Sequence, residues 1–221
     1  MKKITIFSIV FFISYSISSQ EFMKKIQLKE GLLSDIKYND LNITPLLQVY
    51  NDGNISLKVK INNESIANFH INCDNTTSDS ERKEYYTKVY KNNFLTFKIE
   101  NNNKYLIIEQ AKFGKAFALS SSDGVLTISN KDDLIEIEIT DYIHEWGYDA
   151  PPEDPNRNYF TDVQYTLKVK VKNVVKNFLV SSAELQSKGS FSIDLGSYNI
   201  IILSDQFGHK SSLIEMIIDK K

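Results

Sequence analysis

The chain has 221 residues, with 26 Lys and Arg against 28 Asp and Glu, a single cysteine and 42% apolar residues. This mildly acidic balance leaves no electrostatic footprint for nucleic acid or an anionic membrane. One cysteine excludes an internal disulfide framework, and a chain of this length can bury enough surface to fold without disulfide or metal staples.

Lys2 and Lys3 precede an apolar run from Ile4 to Ile17, and small residues follow at Ser16, Ser18 and Ser19. A positive start, a short apolar stretch and a small-residue end is the order of a removable secretory signal. Residues 1–19 are therefore expected to be a signal peptide and residues 20–221 the mature chain, exported to the periplasm, the cell surface or the medium. The run falls short of the roughly 20 apolar residues that a spanning helix needs. Cys73 is far from the cleavage point, so no lipid-bearing cysteine is expected there. Without Lys2 and Lys3 the charge is 24 − 28 = −4. The abundance of Asn, Ile and Lys points to an AT-rich bacterial genome. Sequons begin at Asn42, Asn54, Asn63 and Asn75 and matter only in a host that glycosylates them.

The spacing of 22–38 fits either a short helix or a strand. Beyond it, period-2 alternation dominates. Ile55, Leu57, Val59 and Ile61 share one face against Ser56, Lys58 and Lys60. Phe69, Ile71 and Cys73 alternate in the same way, which makes Cys73 a small buried apolar side chain. Leu95, Phe97 and Ile99 oppose Thr96, Lys98 and Glu100. Ile135, Ile137 and Ile139 oppose Glu136, Glu138 and Thr140, and Tyr165, Leu167, Val169 and Val171 oppose Thr166, Lys168, Lys170 and Lys172. Each pattern suits a strand with one dry and one wet face. The complementary Glu and Lys rows predict that 135–140 and 165–172 are antiparallel neighbours.

Asp52-Gly53, Asn92-Asn93, Asn101-Asn102-Asn103 and Asp123-Gly124 punctuate these runs as tight turns. Residues 198–203 are nearly all apolar and read as a central strand covered on both sides, and 213–218 as the closing strand. The expected fold is all-β, an antiparallel β-sandwich of Ig-like or jelly-roll-like type with little helix, built as one domain or as two smaller β units. The lysine- and glutamate-rich wet faces fit stacked sheets better than the lumen of an outer-membrane barrel.

No catalytic signature stands out. Glu136 and Glu138 sit on one strand face, but a solvated face opposite lysines accounts for them. His70, His144 and His209 lack metal-ligand spacing. There is no Gly-x-Ser-x-Gly nucleophile turn and no phosphate-cradling glycine loop.

Segment 141–162 is different. It holds the sole tryptophan, Trp146, and three of the four prolines. Read as a long loop over 144–160, it is a candidate contact surface. Trp146, Tyr148, Tyr159 and His144 are the candidate ligand-binding residues, with flat apolar faces and polar tips suited to a glycan or a peptide. Asp154, Asn156, Asn158 and Asp162 repeat oxygen-bearing side chains in the manner of a Ca²⁺ loop. Tyr159 and Tyr165 stand where such a loop wants Gly and a bidentate Glu.

The tail 189–220, with Phe191-Ser192-Ile193-Asp194-Leu195, then Gly196-Ser197-Tyr198 and a last apolar run before Lys220, resembles in part the C-terminal sorting domains of the type IX export system. It covers about 30 residues and lacks the Asn-Pro entry motif; Asp154-Pro155-Asn156 reverses that order. Many Ig-like domains end this way, so the resemblance implies no more than a closing pair of strands.

These readings favour an exported, non-catalytic binding protein that meets a glycan, a peptide or a protein partner through 144–160. The alternatives are an extracytoplasmic hydrolase whose site assembles in space, with His144, Glu145 and Asp149 as candidates, and a structural or inhibitory surface protein.

Overall fold

The computed structural model describes residues 23–71, 85–130, 133–208 and 211–221. Cys73, His209, Asn75 and the expected signal peptide lie outside the described residues. In chain order the elements are β1 (Met23–Leu28), β2 (Gly31–Leu32), β3 (Ile36–Tyr38), β4 (Leu41–Val49), β5 (Ile55–Ile61) and β6 (Glu64–Ile71). Then follow β7 (Tyr85–Tyr90), β8 (Asn93–Glu100), β9 (Asn103–Gln110), β10 (Phe117–Ser120), β11 (Leu126–Asn130), β12 (Asp133–Tyr148) and β13 (Tyr159–Val171). The chain ends with β14 (Val174–Ser181), α1 (Ser182–Lys188), β15 (Phe191–Asp194), β16 (Tyr198–Gln206) and β17 (Leu213–Lys220). The protein is all-β, with stacked antiparallel sheets. Within the ambiguous stretch 22–38, residues 23–38 hold three short strands, because β1 finds an edge to pair with on β9 and β2 and β3 both find β4.

Three sheets form. The longest runs β1-β9-β8-β7-β10-β17-β16-β15, a second runs β11-β12-β13-β14, and a third runs β2-β4-β5-β6 with β3 also on β4. Asparagine makes the tight connections. Asn62 and Asn63, Lys91 and Asn92, and Asn101 and Asn102 each place two consecutive residues at positive φ between directly paired strands. Such a two-residue turn matches the right-handed strand twist, and asparagine tolerates its backbone conformation at little cost.

The alternation seen in the sequence decides which sheet faces which. On β8, Leu95 and Phe97 join a cluster with Leu57, Val59, Phe69, Leu106 and Ile108, which fills the space between the third sheet and β1, β9 and β8. Phe94, on the opposite face of the same strand, belongs to another cluster with Phe117, Leu119, Ile137, Leu167, Ile200 and Met216. The two smaller sheets thus pack on opposite faces of the long sheet, near its two ends. The halves of the long sheet meet where β7 and β10 run parallel, with Lys88 opposite Ala118.

The expected pairing of β12 with β13 is present. Ile135, Ile137 and Ile139 stand opposite Val171, Val169 and Leu167, and Glu136 and Glu138 opposite Lys170 and Lys168. Lys168 reaches Glu138 at 2.7 Å and Lys170 reaches Glu136 at 3.0 Å. β16 departs from expectation. Tyr198, Ile200 and Ile202 are buried, whereas Ile201 and Leu203 are only half-buried. No sheet among the described residues closes over that second face.

Two buried tyrosines tie the core to carboxylates. Burial, reinforced by Asp205 accepting its hydroxyl at 2.8 Å, pushes the Tyr165 phenol well above its ordinary value. Burial and Asp133 push Tyr198 up to about 12. Between the ordinary tyrosine value of about 10 and the raised folded values, the unfolded chain has lost protons that the folded chain keeps. Stability therefore falls as pH rises through that window. Chemical denaturation at stepped alkaline pH should show a falling midpoint alongside delayed tyrosinate absorbance, and Tyr198→Phe should flatten the fall.

Candidate functional site

The segment read as a loop is mostly strand. β12 and β13 stay paired without interruption from Asp141 opposite Thr166 to Tyr148 opposite Tyr159, so only 149–158 connect them. Among the described residues no further strand lies beside these two past Val163. The reading of 144–160 as irregular fails because residues on both sides of the prolines satisfy each other's backbone groups across the ribbon.

A bulge sets what this ribbon displays. The register shifts between Ile139 and Asp141, with Thr140 as the extra residue. Thr140 donates its hydroxyl to the carbonyl of Thr166. Before the bulge, Ile135, Ile137 and Ile139 face the core; after it, Tyr142, His144, Trp146 and Tyr148 lie on that side. An extra residue in one strand inverts its alternation. Without it, Ile143, Glu145 and Gly147 would take the core side.

The result is an aromatic row that starts in the core and runs out of it. Tyr165 is fully buried, with Tyr142 beside it at 6.4 Å between ring centroids. Phe207, just after β16, covers Tyr142 at 6.1 Å and His144 at 4.6 Å. His144 in turn lies 5.1 Å from Trp146. Farther out, Tyr148 and Tyr159 meet edge to face at 5.5 Å, and the Arg157 guanidinium lies over the Tyr148 ring at 4.2 Å. Trp146, Tyr148 and Tyr159 are 65%, 53% and 59% exposed. On the reverse face Ile143 and Phe160 are also exposed, and the Phe160 ring lies beside Gly147.

The tip is held by its own polar groups. Asp149 accepts the backbone N–H of Asn158 at 2.7 Å and its amide at 3.2 Å, which together hold the Asp149 carboxyl below its ordinary range. Asp154 accepts the N–H of Asn156 at 2.8 Å. Asp162 is on β13, where both its oxygens accept from the Ser181 hydroxyl and one from the N–H of Ala183. The four residues of the candidate Ca²⁺ set are thus engaged in three separate hydrogen-bond groups. Among the described residues no cluster of three or more His, Cys, Asp or Glu could hold a metal ion.

His144 is brought to Thr161, its ring Nε2 3.0 Å from the hydroxyl. Glu145 faces the other side of the ribbon, near the Gln164 amide. Asp149 belongs to the tip, so the three hydrolase candidates do not converge.

The helix α1 was not anticipated. Its signal is Ser181-Ser182-Ala183-Glu184, in which Ser181 caps the N–H of Glu184, followed by Gly189 in the left-handed conformation. At seven residues it is too short for a periodic pattern. Asp162 anchors its start.

A concavity of about 590 Å³ lies between β6 and the strands β7, β10 and β17. Lys88, paired with Asp123 at 3.3 Å, stands in its wall with Ser120, Ser122 and Phe207. Sequence reading missed it because its lining comes from segments far apart in the chain, from Ser65 to Leu213.

No family model matches this chain, and neither a curated protein nor a solved structure matches it significantly. Among the described residues no helix is long and apolar enough to cross a membrane.

Because its indole lies largely outside the packed interior, Trp146→Ala should change unfolding free energy by no more than about 0.5 kcal/mol. A buried indole would instead cost about 3–5 kcal/mol, so one denaturation curve separates the two. Asp162→Ala should lose about 1–2 kcal/mol through the freed helix start. That loss should be the same in excess Ca²⁺ and in chelator.

Proposed function

We propose that the mature chain is an exported, non-catalytic binding protein whose contact surface is the outer end of the β12–β13 ribbon. The observation that carries this reading is the row Trp146, Tyr148 and Tyr159, open to solvent on strands that hold the rings in place. Exposed aromatic side chains in a contiguous group mark interaction surfaces. Rings fixed by cross-strand pairing and by Arg157 lose little freedom when a partner arrives, which favours affinity. Flat faces with polar tips suit a glycan or an extended peptide.

The hydrolase alternative draws less support. The partners of His144 are a threonine hydroxyl and two aromatic rings, and a Ser/His/Asp-type relay needs a carboxylate behind the histidine. A structural role acting elsewhere would use the exposed Val174, Val175 and Leu179 on the edge strand β14.

Trp146 is the sole tryptophan, so its emission reports on the ribbon alone. Titration with arrayed glycans and peptides should yield binders that shift or quench this emission. For those binders Tyr148→Ala should weaken affinity by about tenfold or more, a loss of about 1.4 kcal/mol, while Val175→Ser leaves it unchanged. Binders indifferent to Tyr148→Ala would place the contact surface elsewhere.

A further inference from the structure

We infer that the pocket between the β13–β14 turn and the β15–β16 turn binds a small amphipathic anion, a medium-chain carboxylate with its tail inside and its head at two rim lysines. The site shares no residue with the ribbon aromatics, and the inference does not depend on their role.

The pocket, about 310 Å³, lies where the second sheet meets the β15–β16 end of the long sheet. Val169 and Tyr198 in its lining belong to the buried cluster between those sheets, and Val171 and Leu195 pack against that cluster. The pocket floor is therefore part of the core itself. Val174, exposed and directly opposite Val171 across the turn, extends the apolar wall. Tyr198 is held from two sides. The Phe113 ring meets it edge to face at 5.6 Å, and Asp133 accepts its hydroxyl. A wall fixed before the ligand arrives costs little to order on binding.

Two lysines reach this pocket for different reasons. On β14, Val174, Lys176, Phe178 and Val180 stand opposite Val171, Val169, Leu167 and Tyr165. Lys176 thus takes a core-side position in an otherwise apolar row, and it lines the pocket. Lys172 follows Val171, so regular alternation would send it outward with Lys168 and Lys170. Its φ of 55° breaks that alternation at the turn, and Lys172 lines the pocket as well. The neighbouring carboxylates have direct partners of their own. Asp133 pairs with Lys220 at 2.6 Å, and Asp194 with Lys221 at 2.7 Å and with the N–H of Gly196 at 2.7 Å. Lys172 and Lys176 act on these two carboxylates through space. The balance of the six charged groups is positive, which favours an anionic head at the rim, beside Ser197.

Floor and rim together select the ligand class. An uncharged apolar molecule gains nothing from the lysines, and an inorganic anion gains nothing from the floor. An alkyl ammonium meets like charge. A carboxylate on an alkyl chain uses both parts of the site, and a volume at the lower end of ligand pockets limits that chain to medium length.

The test is titration of the purified protein with octanoate, below its micelle concentration, followed by methyl and amide NMR. Methyl resonances of Val169, Val171, Val174 and Leu195 should move together. Octylammonium should bind about tenfold more weakly, because like charges disfavour the wrong partner. The double variant Lys172→Met with Lys176→Met should weaken octanoate by about tenfold and leave 1-octanol unchanged. Leu195→Trp, which fills the floor, should abolish both, and Trp146→Ala should change neither. Both lysines are exposed, so the double variant still reports should thermal melting show that Leu195→Trp fails to fold. Equal affinity for octanoate and octylammonium would overturn the proposal. So would inorganic phosphate binding as tightly as octanoate, or octanoate shifts confined to residues outside the pocket. A double variant that keeps its octanoate affinity and dimerises in sedimentation would make Lys176 a guard on the edge of β14, and the proposal would fail.

Discussion

The long sheet is held in one piece by a narrow parallel contact in which Lys88 lies opposite Ala118. The paired register between β7 and β10 is that one position, and the pairings on either side are antiparallel. Because successive side chains of a strand point to opposite faces, this contact fixes which residues of the two halves share a face. Phe94, Phe117 and Leu119 fall on one side and receive the β11–β14 sheet; Leu95 and Phe97 fall on the other and receive β2–β6. One long sheet with a smaller sheet on each face, offset to opposite ends, is the consequence.

Offset layers leave part of each face with no sheet upon it. On the β10, β17 and β16 face, this explains why an apolar run such as 198–203 has only one dry side. It also explains why the edge of β6 overlooks a cleft rather than open water. The same architecture lets β12 and β13 outrun their neighbours. Sheets end where pairing partners end, and β11 and β14 stop while β12 and β13 continue.

The ribbon shows how a single inserted residue changes what a surface presents. Thr140 shifts the phase of β12, and with it four aromatic or imidazole side chains move to the side on which Tyr165 and Phe207 can pack against the first two. The inner members, Tyr142 and His144, are stabilised by that packing, and the outer members extend it as an exposed stack. Arg157 over Tyr148, and Asp149 closing onto Asn158, hold the far end in register without help from the core. Rigidity at the base and order at the tip are what a preformed contact surface requires.

Much of the local structure was legible in the residues. The alternation of 55–61, 95–99, 135–140 and 165–172 marked strands and their dry faces, because a strand with one face in water must alternate. The Glu136–Glu138 and Lys168–Lys170 rows identified a neighbouring pair, because opposite charges directly across a ladder favour that register. Aromatic residues in 141–162 marked the surface that the fold leaves open. Tertiary structure decided the rest. Whether 144–148 was strand or loop depended on a partner strand eleven or more residues away. Asp162 carried the same side chain as a metal ligand would, and only the position of Ser181 and Ala183 made it a helix anchor. The cleft beside β6 draws its walls from segments far apart in the chain, and the phase reversal at Thr140 is a property of two strands in register. A single strand's pattern holds no record of either, since both arise from which backbones meet.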